Sequence, residues 1–376
     1  MPTQNEDKIV IGTYAINFSK AGQKWKIGKD ADVGSNLPAV ASFHENNTLI
    51  NKGSIYSDDD YGVYFTKNNA TLKNKESGHI NGGQFGVHFD PTTNADVKGS
   101  VVNHGEILGL QAGVLTSGTG DFKLDNYGEI SGQVYGVYSL AGNSGSTAGP
   151  VIKNAGSITS DTYGVHVFAI PGLRSKIVNQ KDGVIEGGKV FDGGAAVHNP
   201  NGDMTLINKG KIKGDVTTPN DDTNTITNMG KIKGDVYLGS NDDTFDNTGG
   251  KVTGRIVGLD GKDKFIAGDA KDTFMFDGPI NGTTNIDRVK NFESGKDTFI
   301  LEQWEFSGLP AGPLAKSAFR KGTEAKDGDD RIIYDQDSGK LYHDEDGVGG
   351  DPHVQFAKVD PGQKLKYSDF TVEMFE

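Results

Sequence analysis

The feature that most constrains this chain is a short word, Asn-x-Gly-x-Ile, that returns along most of its length. It stands as NKGSI at Asn51, NHGEI at Asn103, NYGEI at Asn126, NAGSI at Asn154, NKGKI at Asn208 and NMGKI at Asn228. NKESGHI at Asn74 and NQKDGVI at Asn179 carry it with two extra residues, and NTGGKV at Asn247 closes the series. The asparagines step by 23, 29, 23, 28, 25, 29, 20 and 19 residues. Such a period, with apolar segments like TLI or SVV ahead of each Asn, predicts a β-solenoid of two or three short strands per coil. The composition agrees. With 54 glycines and 34% hydrophobic residues in 376, the chain is poor material for a wide core. It suits an interior one side chain across.

Stacked coils would place the asparagines in a buried amide column, a structural role in which each side chain satisfies turn backbone from coil to coil. The Gly two residues on fits a turn needing positive φ or close packing. A second column reads YGVYF, FGVHF, AGVLT, YGVYS, YGVHV and AAVHN. If Val63, Val87, Val114, Val137, Val165 and Val197 point inward, alternation turns the following residue outward. That predicts an external stripe of Tyr64, His88, Leu115, Tyr138, His166 and His198. Its Tyr and His members are candidate contacts for an extended polymer, by stacking and hydrogen bonding. The same residues also suit a plain β surface.

Near Leu238 the period shortens towards nine. GSNDDTF, GLDGKDKF and AGDAKDTF follow the nonapeptide pattern G-G-x-G-x-D-x-U-x, degenerate at the glycines but retaining the Asp and the large apolar residue. Glycines aim backbone carbonyls at one point, and a carboxylate completes an oxygen shell of the kind calcium takes. The candidate calcium ligands are Asn241, Asp243, Asp260, Gly261 and Asp263, with one ion expected between turns 241–243 and 260–263. Asp269 and Asp272 are expected on the opposite side. Charge follows the same division. Residues 1–234 carry 21 Lys/Arg against 23 Asp/Glu, a balance of −2, and residues 235–376 carry 17 against 28, a balance of −11.

Beyond the nonapeptides come NIDRVKNFESGKDTFIL, DRIIYDQDSGKLYHDEDG and a closing DFTV. Together with the nonapeptides, these resemble the C-terminal region of RTX (haemolysin-type calcium-binding) proteins, the cargo of bacterial type I secretion. The matching residues are Asp287, Phe292, Gly295, Asp297 and Leu301, then Asp369, Phe370 and Val372. The resemblance covers about residues 238–376. It implies calcium-driven folding, export by the type I secretion machinery led by an uncleaved C-terminal signal, and a secreted, extracellular location. It leaves the first 237 residues unassigned.

The sequence therefore predicts an all-β chain, a right-handed parallel β-helix (β-solenoid) continuing into an RTX-like calcium β-roll with a C-terminal β-rich cap. Residues 1–45 would form an N-terminal cap, 46–237 the β-helix, 238–284 the roll, and 285–376 the cap and secretion signal. No apolar run reaches transmembrane length, and MPTQNEDKIVIG lacks the basic start and apolar core of a signal peptide. There is no cysteine, so neither disulfides nor zinc–thiolate sites are available. Basic and aromatic residues are not clustered along the chain, which points away from nucleic acid.

Neither H-E-x-x-H nor G-x-S-x-G occurs, which excludes the zinc protease and serine lipase signatures. The reading that remains is a surface or matrix adhesin, or a carbohydrate-binding protein, whose partners are extracellular polysaccharide or a host or cell surface. The alternative is a secreted polysaccharide lyase or uronan epimerase. There His88, beside Asp90 in FGVHFDP, would act with Tyr64, Tyr138 and His166 as proton-transfer groups.

Overall fold

The computed structural model describes residues 1–90, 98–118, 121–141, 148–188 and 190–374. Pro91, the last residue of FGVHFDP, lies outside them. Strands dominate, and among the described residues no helix is long and apolar enough to cross a membrane. The fold is the expected parallel β-solenoid, and it divides into two compact units, Met1–Thr217 and Thr218–Glu376.

In the first unit three parallel sheets form the sides of each coil. First-sheet strands end on the repeat Asn, as in Ala70–Asn74, Gly99–Asn103 and Lys123–Asn126. The second sheet takes up the following Ile, as in His79–Gly82, Glu106–Gly109 and Glu129–Gly132. The third holds the valine strands Tyr61–Phe65, Phe85–Phe89, Ala112–Ser117, Tyr135–Ala141 and Tyr163–Ala169. Register is kept from coil to coil: Asn74 lies beside Asn51 and Asn103, Ile107 beside Ile80 and Ile130, and Val114 beside Val87 and Val137. Residues 1–45, expected as a separate cap, instead form coils of the same kind. Lys24–Ile27, Asp32–Ser35 and Val40–Ser42 pair in parallel with the next coil, and Lys8–Val10 and Ile16–Phe18 pair beneath them. This segment lacks the Asn word but keeps the inward apolar pattern, with Ile16, Phe18, Ile27, Val33 and Val40 buried.

The asparagine column is a hydrogen-bonded ladder. Asn51 Nδ2 donates to Asn74 Oδ1 at 2.9 Å, and the same bond repeats through Asn103, Asn126, Asn154 and Asn179 to Asn208 at 2.8–3.0 Å. Every member is buried. Each amide also binds backbone, as when Asn126 Nδ2 meets the carbonyls of Gly128 at 3.1 Å and Ser157 at 3.0 Å. The glycine of the word answers to close packing: a Cβ on Gly128 would lie 2.1 Å from the Gly105 carbonyl oxygen, and one on Gly156 equally close to that of Gly128. No side chain fits there.

The second unit begins with three-sided coils and loses a side. The second sheet has only Lys231–Lys233 and Lys251–Val252 here. From Lys264 the chain alternates between first-sheet strands (Lys264–Ile266, Asp287–Lys290) and third-sheet strands (Thr273–Phe276, Thr298–Glu302). The two-sided winding thus starts later than the shortening period at Leu238 suggested. An antiparallel meander, Ile332–Asp335, Lys340–His343 and Val354–Val359, joins the first sheet through Asp287–Lys290. Phe370–Glu373 adds to the third sheet beside Thr298–Glu302. The inward residues are phenylalanines: Phe245, Phe265, Phe274, Phe292, Phe299 and Phe370 are buried, and Phe292 stacks on Phe299 at 4.1 Å.

Asn126→Ala removes one rung and leaves Asn103 and Asn154 without their shared partner. A loss of about 1–3 kcal/mol is expected, the usual cost of stranding buried polar groups. It is measured as a lowered urea midpoint with an unchanged slope.

Candidate functional site

The six valines Val63, Val87, Val114, Val137, Val165 and Val197 are buried in the first unit's interior. The residues after them turn to the outer face of the third sheet, where Tyr64, Tyr138, His166 and His198 are half-buried and His88 and Leu115, expected outside, are buried beneath their neighbours. The stripe Tyr64, His88, Leu115, Tyr138, His166 and His198 is therefore one register column, each pairing with the next coil. It has a second column that strict alternation did not foresee. Tyr61, Phe85, Tyr135 and Tyr163 stand two residues before the valines, yet their rings lie against the stripe: Tyr61–Tyr64 centroids are 5.0 Å apart, Phe85–His88 5.7 Å, Tyr135–Tyr138 4.4 Å and Tyr163–His166 5.1 Å. The cause is the intervening glycine. A Cβ on Gly62 would meet Ile80 Cγ2 at 2.7 Å and the Gly86 carbonyl at 2.8 Å, so this position faces inward together with Val63. Alternation breaks by one residue, and both flanking aromatics turn out. The repeated glycine in YGV, FGV and AGV was the available signal.

The face falls into two patches separated by the Ala112–Leu115 coil. One gathers Tyr14, Phe43, Tyr61, Tyr64, Phe85 and His88. The other gathers Tyr135, Tyr138, Tyr163, His166 and His198. Beside them, at the corner between the second and third sheets, runs a groove of about 730 Å³ lined in part by Leu108, Leu110, Ser131, Gln133, Thr159 and Asp161. Gln133 and Asp161 stand two residues before Tyr135 and Tyr163, so the groove borders the aromatic columns.

The imidazoles are held neutral. Burial pushes His88 down to about 4 despite the opposing charge of Asp90. Burial, then His198, takes His166 to about 3, and burial alone takes His198 to about 4. Burial, then the hydrogen bond from Tyr64 Oη to Asp90 Oδ2 at 2.9 Å, raises the Tyr64 phenol well above its usual range. Tyr138 is also raised, first by burial and then by Tyr135. His88 Nε2 lies 3.0 Å from Ser117 Oγ. These are groups for hydrogen bonding and stacking.

The aspartate turns of the second unit form ladders of their own. Asp243 Oδ1 accepts the Asn224 N–H at 2.6 Å, Asp263 Oδ1 that of Asp243 at 2.8 Å, and Asp287 Oδ1 that of Asp263 at 3.0 Å. All three carboxylates are buried. Asp263 and Asp287 are both driven up, by burial first and then by neighbouring carboxylates, which for Asp263 include Asp287. Asp263 Oδ2 is buried with no hydrogen-bond partner. Gly258 makes room for it, since a Cβ there would sit 2.3 Å from that oxygen. Gly261, at φ +118°, brings its turn against the Asn241 carbonyl, 2.6 Å from where a Cβ would stand. Asn241, Asp260 and Asp269 are exposed on the turns, and the Asn241 amide donates to the Asp221 carbonyl. Leu259, at the pattern's second glycine, carries φ +67°.

Asp272 stands elsewhere, at the end of an asparagine column. Asn228 donates to Asn247 at 2.7 Å and Asn247 to Asp272 at 2.6 Å, and Asp272 also accepts from Gly268 N–H. Its own N–H is held by Asp297 at 2.9 Å. Among the described residues no three His, Cys, Asp or Glu side chains stand close enough together to hold a metal between them. A cation at these turns would rely on backbone carbonyls as well as Asp263.

No protein-family model, curated protein or solved structure matches this chain.

His88, His166 and His198 lie below their unfolded value near 6.5 in the folded chain, so the unfolded chain binds more protons as pH falls. Their contribution to stability is full above about pH 6.5 and is lost as pH falls towards 4. Urea midpoints of wild type and His166→Phe at pH 7.5 and 4.5 check this; the variant is expected to lose less on acidification.

Proposed function

We propose that this chain is a secreted, calcium-stabilised repeat protein that binds an extended carbohydrate chain, as an adhesin or matrix component. The observation that carries the reading is the pairing of two outward aromatic columns with the groove along the neighbouring corner. Rings on successive coils recur every ~4.8 Å, close to the length of one sugar ring, and leave a partly exposed aromatic surface along the columns. Ser131, Thr159 and Gln133 supply the hydroxyl and amide groups that sugar hydroxyls need, and Leu108 and Leu110 the apolar floor. The lyase or epimerase alternative needs a base near neutrality. A Tyr64 phenol held protonated by burial and by Asp90, and imidazoles that burial pushes down to about 3 and 4, are poor bases at pH 7.

The RTX assignment, with export by type I machinery, rests on the resemblance of the C-terminal residues. Supporting it, Asp287 and Asp297 hold backbone N–H groups inside the second unit, and Phe292, Leu301, Phe370 and Val372 are buried. Calcium is supported by the buried, partnerless Asp263 Oδ2 and by carboxylates stacked in one column. When bound, the ion would neutralise that column. Asp263, with the turn carbonyls near Asn241 and Gly261, would hold it.

Two experiments test this. Tyr138→Ala with Tyr163→Ala is expected to weaken glycan binding by about 0.5–1.5 kcal/mol per ring with near-native melting, read on a glycan array and by calorimetry; unchanged binding removes the aromatic face from the reading. For calcium, hydrogen exchange of residues 218–374 is expected to slow when the ion is added to chelator-treated protein. Asp263→Asn is expected to protect that unit in chelator, because it removes a buried charge, and to abolish the response. Exchange indifferent to calcium sinks the calcium assignment.

A further inference from the structure

We infer that the corner between the first and second sheets of the first unit is a binding groove for a linear polycarboxylate of the polyuronate class, held by the ammonium groups of Lys29, Lys52 and Lys75. This corner is a different surface from the aromatic face, and the inference does not rest on that reading.

Lys52 and Lys75 directly follow Asn51 and Asn74. Their backbone N–H groups donate to the carbonyls of Ile27 at 3.2 Å and Asn51 at 2.9 Å, which fixes them one coil apart, about 4.8 Å. In the preceding coil Ile27 lies beside Asn51, so Gly28 holds the column position and Lys29 follows it one residue further into the turn. The column continues with His104, whose N–H meets the Asn74 carbonyl at 2.8 Å, and with Tyr127, whose N–H meets that of Asn103 at 2.7 Å. Their rings stack at 4.7 Å with planes 9° apart, and Tyr127 is half exposed. The three lysines, Ser77 and His104 line a concavity of about 490 Å³, with Glu76 its one acidic member.

The charge is not spent internally. Some cations of this unit are paired, Lys98 with Asp121 at 3.3 Å, Lys213 with Glu186 at 2.5 Å and Arg174 with Asp203 at 2.6 Å. Among the described residues, no ammonium group of Lys29, Lys52 or Lys75 makes an ion pair or hydrogen bond. Lys52 and Lys75, one coil apart, and Lys29 in the turn before them carry like charges that repel each other. A ligand bringing one negative charge per step relieves that repulsion along its whole length. A polyuronate has one carboxylate per sugar ring, and its ring length is near the coil spacing. The half-exposed Tyr127 ring at the end of that stack offers the adjoining sugar an apolar contact. The phosphates of duplex nucleic acid repeat every ~3.4 Å per strand and run out of step with the lysines.

The test is calorimetric titration of the full chain with a short galacturonate oligomer, at low salt and at added sodium chloride. Binding that weakens steeply with salt is expected. Lys52→Gln with Lys75→Gln should reduce affinity by roughly an order of magnitude or more, with circular dichroism and melting unchanged. Lys52→Arg with Lys75→Arg should retain binding, and so should Tyr138→Ala with Tyr163→Ala, which separates this groove from the aromatic face. Wild-type affinity in the glutamine variant overturns the inference. Equal affinity for an oligonucleotide of the same charge also overturns it, since the groove would then read charge alone.

Discussion

Everything in this protein depends on satisfying the backbone at the corners of a coil too narrow to hold water. A three-sided coil turns sharply after each first-sheet strand, and the peptide groups at that bend point into the interior. The buried amide solves the problem because it carries donors and an acceptor on one short side chain. It can bind the turn of its own coil, a carbonyl of the next and the next amide at once, as Asn126 does with Gly128, Ser157 and Asn154. The glycine that follows is the other half of the solution, because coil packing leaves no space for a Cβ. With the corner settled, the interior takes one apolar side chain on the second sheet, such as Ile80, and two on the third, such as Val87 and Phe89, and the low hydrophobic content suffices.

The second unit meets a related need with a different group. Asp243, Asp263 and Asp287 each hold a backbone N–H of the preceding turn, an acceptor task the asparagine column performs with a neutral amide. A carboxylate accepts more strongly, but a column of them in a dry interior repels itself. That difference ties the second unit to a cation in the proposed reading, while the first, cross-linked by amides, has no such need. Asp272 sits where the two devices meet, accepting from Asn247 as the next asparagine would.

A solenoid built this way leaves its outward residues free of folding duty. The two outward aromatic columns of the third sheet and the lysines of the first corner are written in register by the same coils. Any outward residue repeated at the coil period becomes a linear array about 4.8 Å apart, and linear polymers are the ligands such arrays suit.

The all-β solenoid, the buried asparagines, the inward valines and the outward stripe after them were all legible in the chain. They depend on period and on side-chain chemistry, both of which are local and repeated. What the tertiary structure decided was relative placement. Tyr61, Tyr135 and Tyr163 join the stripe because a glycine between aromatic and valine also faces inward, and that becomes visible only when Ile80 and Gly86 of the next coil are seen to fill the space. Residues 1–45 are coil, because inward burial defines a coil even where the Asn word is missing. Lys29, Lys52 and Lys75 lie 23 residues apart at each step and form no cluster in the sequence. The winding converts that separation into closeness, since Ile27 lies beside Asn51 and Asn51 beside Asn74, and only the coil register sets which residues meet.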